Sequence, residues 1–171
     1  MIAKKLEDAI NEQIKWELFS AYLYKAMAGY FLSIDMKGFA TWMQVQALEE
    51  MTHADKFFNY LCEVGGRTEL RAIDAPKNDY KSPLDAFDYS YKHELQVTKR
   101  INDLMTLAKK EKDHALEILL QWFVNEQVEE EASFGQVLSD LKLVKDDGRG
   151  LLMLNRELGA RVFVPPAAQG A

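Results

Sequence analysis

The sequence predicts an all-α fold: a four-helix bundle with one long crossover, followed by a short fifth helix near the C-terminus. Three observations predict it. Apolar residues recur in alternating steps of three and four, as in helices that bury one face. Proline and glycine are scarce and clustered. Gly65 and Gly66 precede a segment holding Pro76 and Pro83, Gly148 and Gly150 mark a second break, and Pro165 and Pro166 lie near the end. No segment alternates apolar and polar residues persuasively enough for a strand.

The first helix is expected from about residue 3 to 32, on a seam of Ile10, Ile14, Glu17, Ala21, Tyr24, Ala28 and Phe31. The second is expected from about 37 to 64, on Phe39, Met43, Gln46, Glu50, His53, Phe57 and Tyr60. The third starts at Ser82-Pro83, an N-cap followed by a proline at the first helical position. Its seam reads Phe87, Tyr91, Glu94, Thr98, Ile101, Met105 and Ala108. The fourth starts near Asp113, a candidate cap, and ends before Asp146. Its seam reads Leu116, Leu120, Phe123, Gln127, Glu130, Phe134, Val137 and Leu141. A short fifth helix near residues 150 to 159 and a tail over 160–171 complete a single domain spanning 1–171, with the bundle over about 3 to 145.

The connections set the topology. Helices one and two are joined by a few residues, as are three and four, so each pair is antiparallel. The 18 residues from 65 to 82 form the long link. A helix of about 28 residues is roughly 42 Å long, and the extended link reaches about 59 Å. It can therefore cross the whole bundle and set the second and third helices parallel. The segment RTELRAIDAPKNDYKS is long for an ordered loop and is expected to pack along the bundle or against another subunit.

With 171 residues, 48% hydrophobic and 28% charged, the chain reads as one soluble globular domain able to bury a core. A net charge of -6 argues against a general nucleic-acid binder. No apolar run is long enough to span a membrane, and MIAKKLEDAINEQ lacks the features of a signal peptide. The single cysteine, Cys62, allows no intrachain disulfide and fits a reducing, cytoplasmic compartment.

Each seam is interrupted by polar residues near its middle: Glu17; Glu50 and His53; Glu94; Gln127 and Glu130. Glu17 precedes Glu50 by 33 residues, and Glu94 precedes Gln127 by the same 33. In each half a lone Glu leads an i, i+3 pair, and such a pair projects from one helix face. The matching half-repeats set all six residues at one level of the bundle.

Buried unpaired carboxylates cost several kcal/mol each even after relaxation, and no Lys or Arg lies on the seams at that level. Protonation would relieve some of the cost, but two divalent cations would match the four acids charge for charge. Carboxylates with one imidazole and no thiolate suit Fe, Mn or sometimes Zn. Glu17, Glu50 and His53 form one expected site. Glu50 bridges to a second expected site formed with Glu94 and Glu130, with Gln127 nearby as a weak ligand or hydrogen-bond partner. The second lacks imidazole and is expected to hold its ion more weakly.

The stretches NEQIKWELFSAYLY around Glu17 and Tyr24, EEMTHA at 49–54 and NEQVEEEA at 125–132 resemble the non-haem ferritins of bacteria and archaea. The resemblance spans the chain, including the crossover and the short last helix. It implies an iron-storage protein and ferroxidase: two Fe(II) ions oxidised together by O2 or H2O2, then stored as ferric mineral within a shell of twenty-four subunits. It assigns Tyr24 a place beside the centre, donating a hydrogen bond or an electron. It makes Glu49, Glu126 and Glu129, with Glu130, a third iron site. Haem-containing bacterioferritins carry a second Glu-x-x-His, whereas this chain has Gln127-Val128-Glu129-Glu130. That favours a centre through which iron passes. Met51 stands where bacterioferritins have their haem-binding Met, but packing is the expected role and haem is not expected.

Plainer readings stand beside these. Tyr24 alone is a core aromatic, and Glu49, Glu126 and Glu129 are a solvated acidic face. His93 and His114 lack matching partners and are expected at the surface. Cys62 is expected to pack near a helix end. Trp16, Trp42 and Trp122 fit either core or subunit contacts. The competing functions are a rubrerythrin-like di-iron peroxidase, disfavoured by the single cysteine, and a non-catalytic helical scaffold.

Overall fold

A computed structural model describes residues 2–145 and 147–165. Its regular elements are α1 (Lys4–Ser33), α2 (Lys37–Glu63), α3 (Pro83–Glu111), α4 (His114–Val144) and α5 (Gly148–Leu158). There are no strands among the described residues. The expected tail is described only to Pro165, and its remainder lies outside the described residues.

The helix ends follow local chemistry. The Ser82 hydroxyl accepts the Asp85 amide at 3.1 Å, with Pro83 opening α3. Asp113 accepts the Leu116 amide at 3.1 Å and opens α4. Each cap satisfies a backbone N–H that the first helical turn leaves free. Lys112 ends α3 in the left-handed region at φ 60°. Asp147 caps α5 through the Gly150 amide at 2.9 Å, so α5 begins slightly earlier than its glycines suggested.

α1 packs on α2 and α3 on α4, with α5 lying across the start of α2. Gly38 makes that last docking possible, since a Cβ there would sit 1.5 Å from the Asn155 carbonyl oxygen. The Asn155 side chain in turn accepts the Gly38 amide at 2.9 Å. The crossover packs along α1 with no regular structure of its own. Asn11 donates to the Arg67 carbonyl at 2.9 Å and accepts the Glu69 amide at 2.7 Å, and Arg71 pairs with Glu12 at 2.7 Å. Tyr80 is buried against Tyr30.

Every residue of the first and fourth seams is buried. Tyr60, Tyr91, Thr98 and Met105 are half-buried on the other two. The apolar core forms two clusters. One gathers Tyr24, Phe31, Phe39, Phe87 and Phe134. The other gathers Ile10, Phe57, Ile101, Leu116 and Phe123. The polar residues of the seams occupy the waist between them.

Two expectations are corrected. His93 is buried, its Nε2 2.8 Å from the Ser20 hydroxyl and its ring against Phe19 and Tyr24. The α1–α3 contact covers it, which the α3 seam alone did not reveal. Cys62 is exposed, because it lies on the outer side of the last turn of α2. His114 lies at the surface as expected. Trp42 is in the core, whereas Trp16 and Trp122 are half-buried.

Candidate metal centre

Glu17 on α1, Glu50 and His53 on α2, Glu94 on α3, and Gln127 and Glu130 on α4 are each at most 5% exposed. Ligand-capable atoms of Glu17, Glu50 and His53 all lie within 4.8 Å of one another. So do those of His53, Glu126 and Glu130. His53 joins the two groups: its Nδ1 is 3.3 Å from Glu50 and its Nε2 3.7 Å from Glu126.

Glu94 belongs to neither triplet. Its Oε1 accepts a hydrogen bond from the Tyr24 phenol, and its Oε2 lies 3.3 Å from the Gln127 amide nitrogen. Gln127 therefore acts here as a hydrogen-bond donor. Glu126 is half-buried, Glu129 is exposed, and Glu49 is paired with Arg161. The four acids expected to hold a third ion are thus not gathered into one group. Met51 is exposed on the outer α1–α2 face and lines an apolar groove with Leu18, Tyr22 and Leu48.

Burial sets the electrostatics. It raises the carboxyl pKa of Glu17 and of Glu50, although His53 opposes it in both. Glu130 is also pushed up by burial and then by Glu94 and Glu50. Glu94 is pushed to about 8 by burial and by Glu50. Burial would lower the His53 imidazole, but Glu126 and Glu50 outweigh it and hold the pKa well above its ordinary value. Tyr24 stays a protonated phenol because burial and Glu94 both oppose its ionisation.

The site also has an open valence. Among the described residues, Glu17 Oε2 is the one buried side-chain nitrogen or oxygen with no hydrogen-bond partner. Buried polar groups are nearly always paired. An unpartnered carboxylate oxygen beside another carboxylate and an imidazole fits a hard or borderline cation such as iron.

A family model for the ferritin-like domain matches residues 7–144. The chain belongs to the ferritin family. This ferritin is 40% identical over 163 residues to the bacterial non-heme ferritin of Staphylococcus aureus, covering 95% of this chain and 98% of that one. It is 39% identical over 163 residues to the Staphylococcus haemolyticus protein of the same name, with the same coverage of each. Among solved structures it matches the open-pore ferritin of the archaeon Archaeoglobus fulgidus, with a TM-score of 0.94 and 49% identity over 95% of this chain and 100% of that one. A closed form of that ferritin, engineered by mutagenesis, matches with a TM-score of 0.95 and 48% identity over 96% and 100%.

Sequence reasoning missed three supporting residues of this ferritin. Gln13 donates to Glu17 at 2.8 Å. Gln46, a seam residue given no role, donates to Glu130 at 2.8 Å and to Glu50 at 3.3 Å. A signal for both was present: each Gln precedes its Glu by four residues, and the two Gln are again 33 apart. Arg161 donates to Gln46 at 2.9 Å and forks onto Glu49. No spacing rule links it to them.

Proposed function

We propose that this ferritin stores iron and is a ferroxidase, an Fe(II):oxygen oxidoreductase. Fe(II) enters each subunit, is oxidised at a paired-metal centre and moves on as Fe(III) to a mineral held within a shell of twenty-four copies. The observation that carries this reading is the polar waist, where metal-ligating side chains from four helices converge and one buried carboxylate oxygen lacks a partner. Family membership supports iron as the cargo.

Glu17, Glu50 and His53 hold the first Fe(II). Glu50 also reaches the second, which Glu94 and Glu130 bind once Glu94 turns from Tyr24 and Gln127. Glu126 and Glu129, with Glu49 and Glu130, form the third position, through which iron leaves. Two Fe(II) ions give one electron each to O2, which takes up two protons and becomes H2O2. When peroxide is the oxidant, the same two electrons and two protons give two water molecules. Pairing the ions avoids a one-electron step that would release superoxide. Tyr24, hydrogen-bonded to Glu94, is poised to supply a further electron. Ion binding drives protons from the raised carboxyls and from His53, placing those protons beside the oxidant.

No described helix is long and apolar enough to cross a membrane. Likeness to the bacterial non-heme ferritins is the ground on which we assign the protein to the cytoplasm. Aerobic Fe(II) titration with an oxygen electrode, followed by gel filtration, tests the proposal. The expected outcome is rapid O2 uptake and a large soluble particle retaining many irons per chain. Stoichiometric iron only would indicate a di-iron peroxidase. Neither uptake nor retention would indicate a scaffold and overturn the proposal.

A further inference from the structure

Arg161 reaches the centre's supporting network from the segment after α5. Asn155 and Gly38 anchor α5 on the start of α2. From there the Arg161 guanidinium lies over the Trp42 ring, 4.3 Å from its centroid. Nη1 donates to Gln46 Oε1 at 2.9 Å and Nη2 donates to Glu49 Oε2. Trp42, Gln46 and Glu49 are one and two turns apart on α2, so the guanidinium spans a single stripe of that helix.

The hydrogen-bond inventory gives this contact a direction. A guanidinium only donates, and an amide has one acceptor oxygen and two N–H groups. Arg161 can therefore meet only Gln46 Oε1, which leaves both Gln46 N–H groups for acceptors. These are Glu130 Oε2 at 2.8 Å and Glu50 Oε1 at 3.3 Å. Gln46 is fully buried, so a reversed amide would set its oxygen against carboxylates. The other arm of the fork occupies Glu49, which would otherwise be free to bind a cation.

We propose that Arg161 is a positioning residue for the metal centre: it fixes the Gln46 amide so that Glu50 and Glu130 both receive an N–H, and it withholds Glu49 from the third cation position. This rests on the three-ion reading above. The tethered guanidinium stands in for the third cation, and iron occupies that position only as Arg161 releases Glu49.

Anaerobic calorimetry with Fe(II) tests it on the assembled protein. Arg161→Gln should tighten the third binding event by roughly 10- to 100-fold, the range over which outer-shell partners act on metal affinity. Adding Glu49→Gln should abolish that gain, a coupling that general loosening of α5 would not produce. Third-event affinity within about twofold of the parent overturns the role, because that is far below the outer-shell range. So does a gain that survives Glu49→Gln. Should Arg161→Gln fail to fold by circular dichroism, Arg161→Lys decides. It keeps the charge for Glu49 but has no fork for Gln46, so the third event should hold while the first two weaken. No change in those two overturns the role. A parent protein that binds no Fe(II) would instead sink the proposed function itself.

Discussion

Gln13 donates to one oxygen of Glu17 at 2.8 Å, while the other oxygen of Glu17, equally buried, has no partner. The helix holds the carboxylate in place from one side and leaves it open on the other. A carboxylate oxygen so placed is available to a cation, and without one it carries a cost. Leaving a buried acceptor unsatisfied costs about 1–3 kcal/mol.

Glu17→Gln should therefore stabilise the metal-free protein by about 1–3 kcal/mol, since its amide N–H can face Glu50. The same change removes a charged ligand and should abolish the tighter Fe(II) site. Urea unfolding after chelation, beside anaerobic calorimetry, reads both. A variant that is less stable and still binds iron normally would contradict the open-ligand interpretation.

His53→Ala should slow fast iron oxidation while leaving the bundle helical. His53 is shared by both triplets and is the imidazole of the proposed first site, so its loss weakens that site. The decrease in affinity should exceed the roughly 10- to 100-fold seen when a supporting partner is lost. Stopped-flow absorbance with circular dichroism checks the pair of expectations, and rapid oxidation at the parental rate would remove His53 from the site.

The pH dependence of the metal-free protein should run opposite to that of a salt-bridged fold. The folded pKa of Glu94, about 8, lies above its unfolded value of 4.5. Between those values the folded state binds more protons than the unfolded state, so this group's contribution to stability falls as pH rises. Glu94→Gln should flatten that slope in chemical denaturation across pH 5 to 8. Fe(II) binding should release protons in the same window, measurable as a heat that scales with buffer ionisation enthalpy.

Tyr24→Phe deprives Glu94 of the phenol donor from α1. One buried carboxylate oxygen is left unpaired, which should cost the metal-free fold about 1–3 kcal/mol. Rapid-freeze electron paramagnetic resonance should show a tyrosine radical during iron oxidation in the parent and none in the variant. A persisting signal would move the electron-donating role elsewhere.

The polar waist was legible because periodicity and spacing are local properties. Alternating steps of three and four assign a face to each residue, and the two 33-residue intervals put Glu17, Glu50, Glu94 and Gln127 at one level. Caps at Ser82 and Asp113 follow from their own side chains and the next turn of backbone. His93 escaped the same logic. It sits one position before Glu94, at the margin of the α3 seam, where only the proximity of α1 decides between core and solvent. Burial and then Arg100 push its pKa down to about 4, so it is held as a neutral group.

The helices, their order, the crossover and the side-chain types that meet in the bundle follow from the sequence. The tertiary structure alone decided how those side chains are grouped: His53 with Glu126 and Glu130, Glu94 with Tyr24 and Gln127, and Glu49 with Arg161. The reason is range. A face and a level follow from a residue's near neighbours along the helix. A contact such as Arg161 to Gln46, 115 positions apart, depends on where the short last helix docks, and Gly38 and Asn155 set that docking through packing rather than through any repeating pattern.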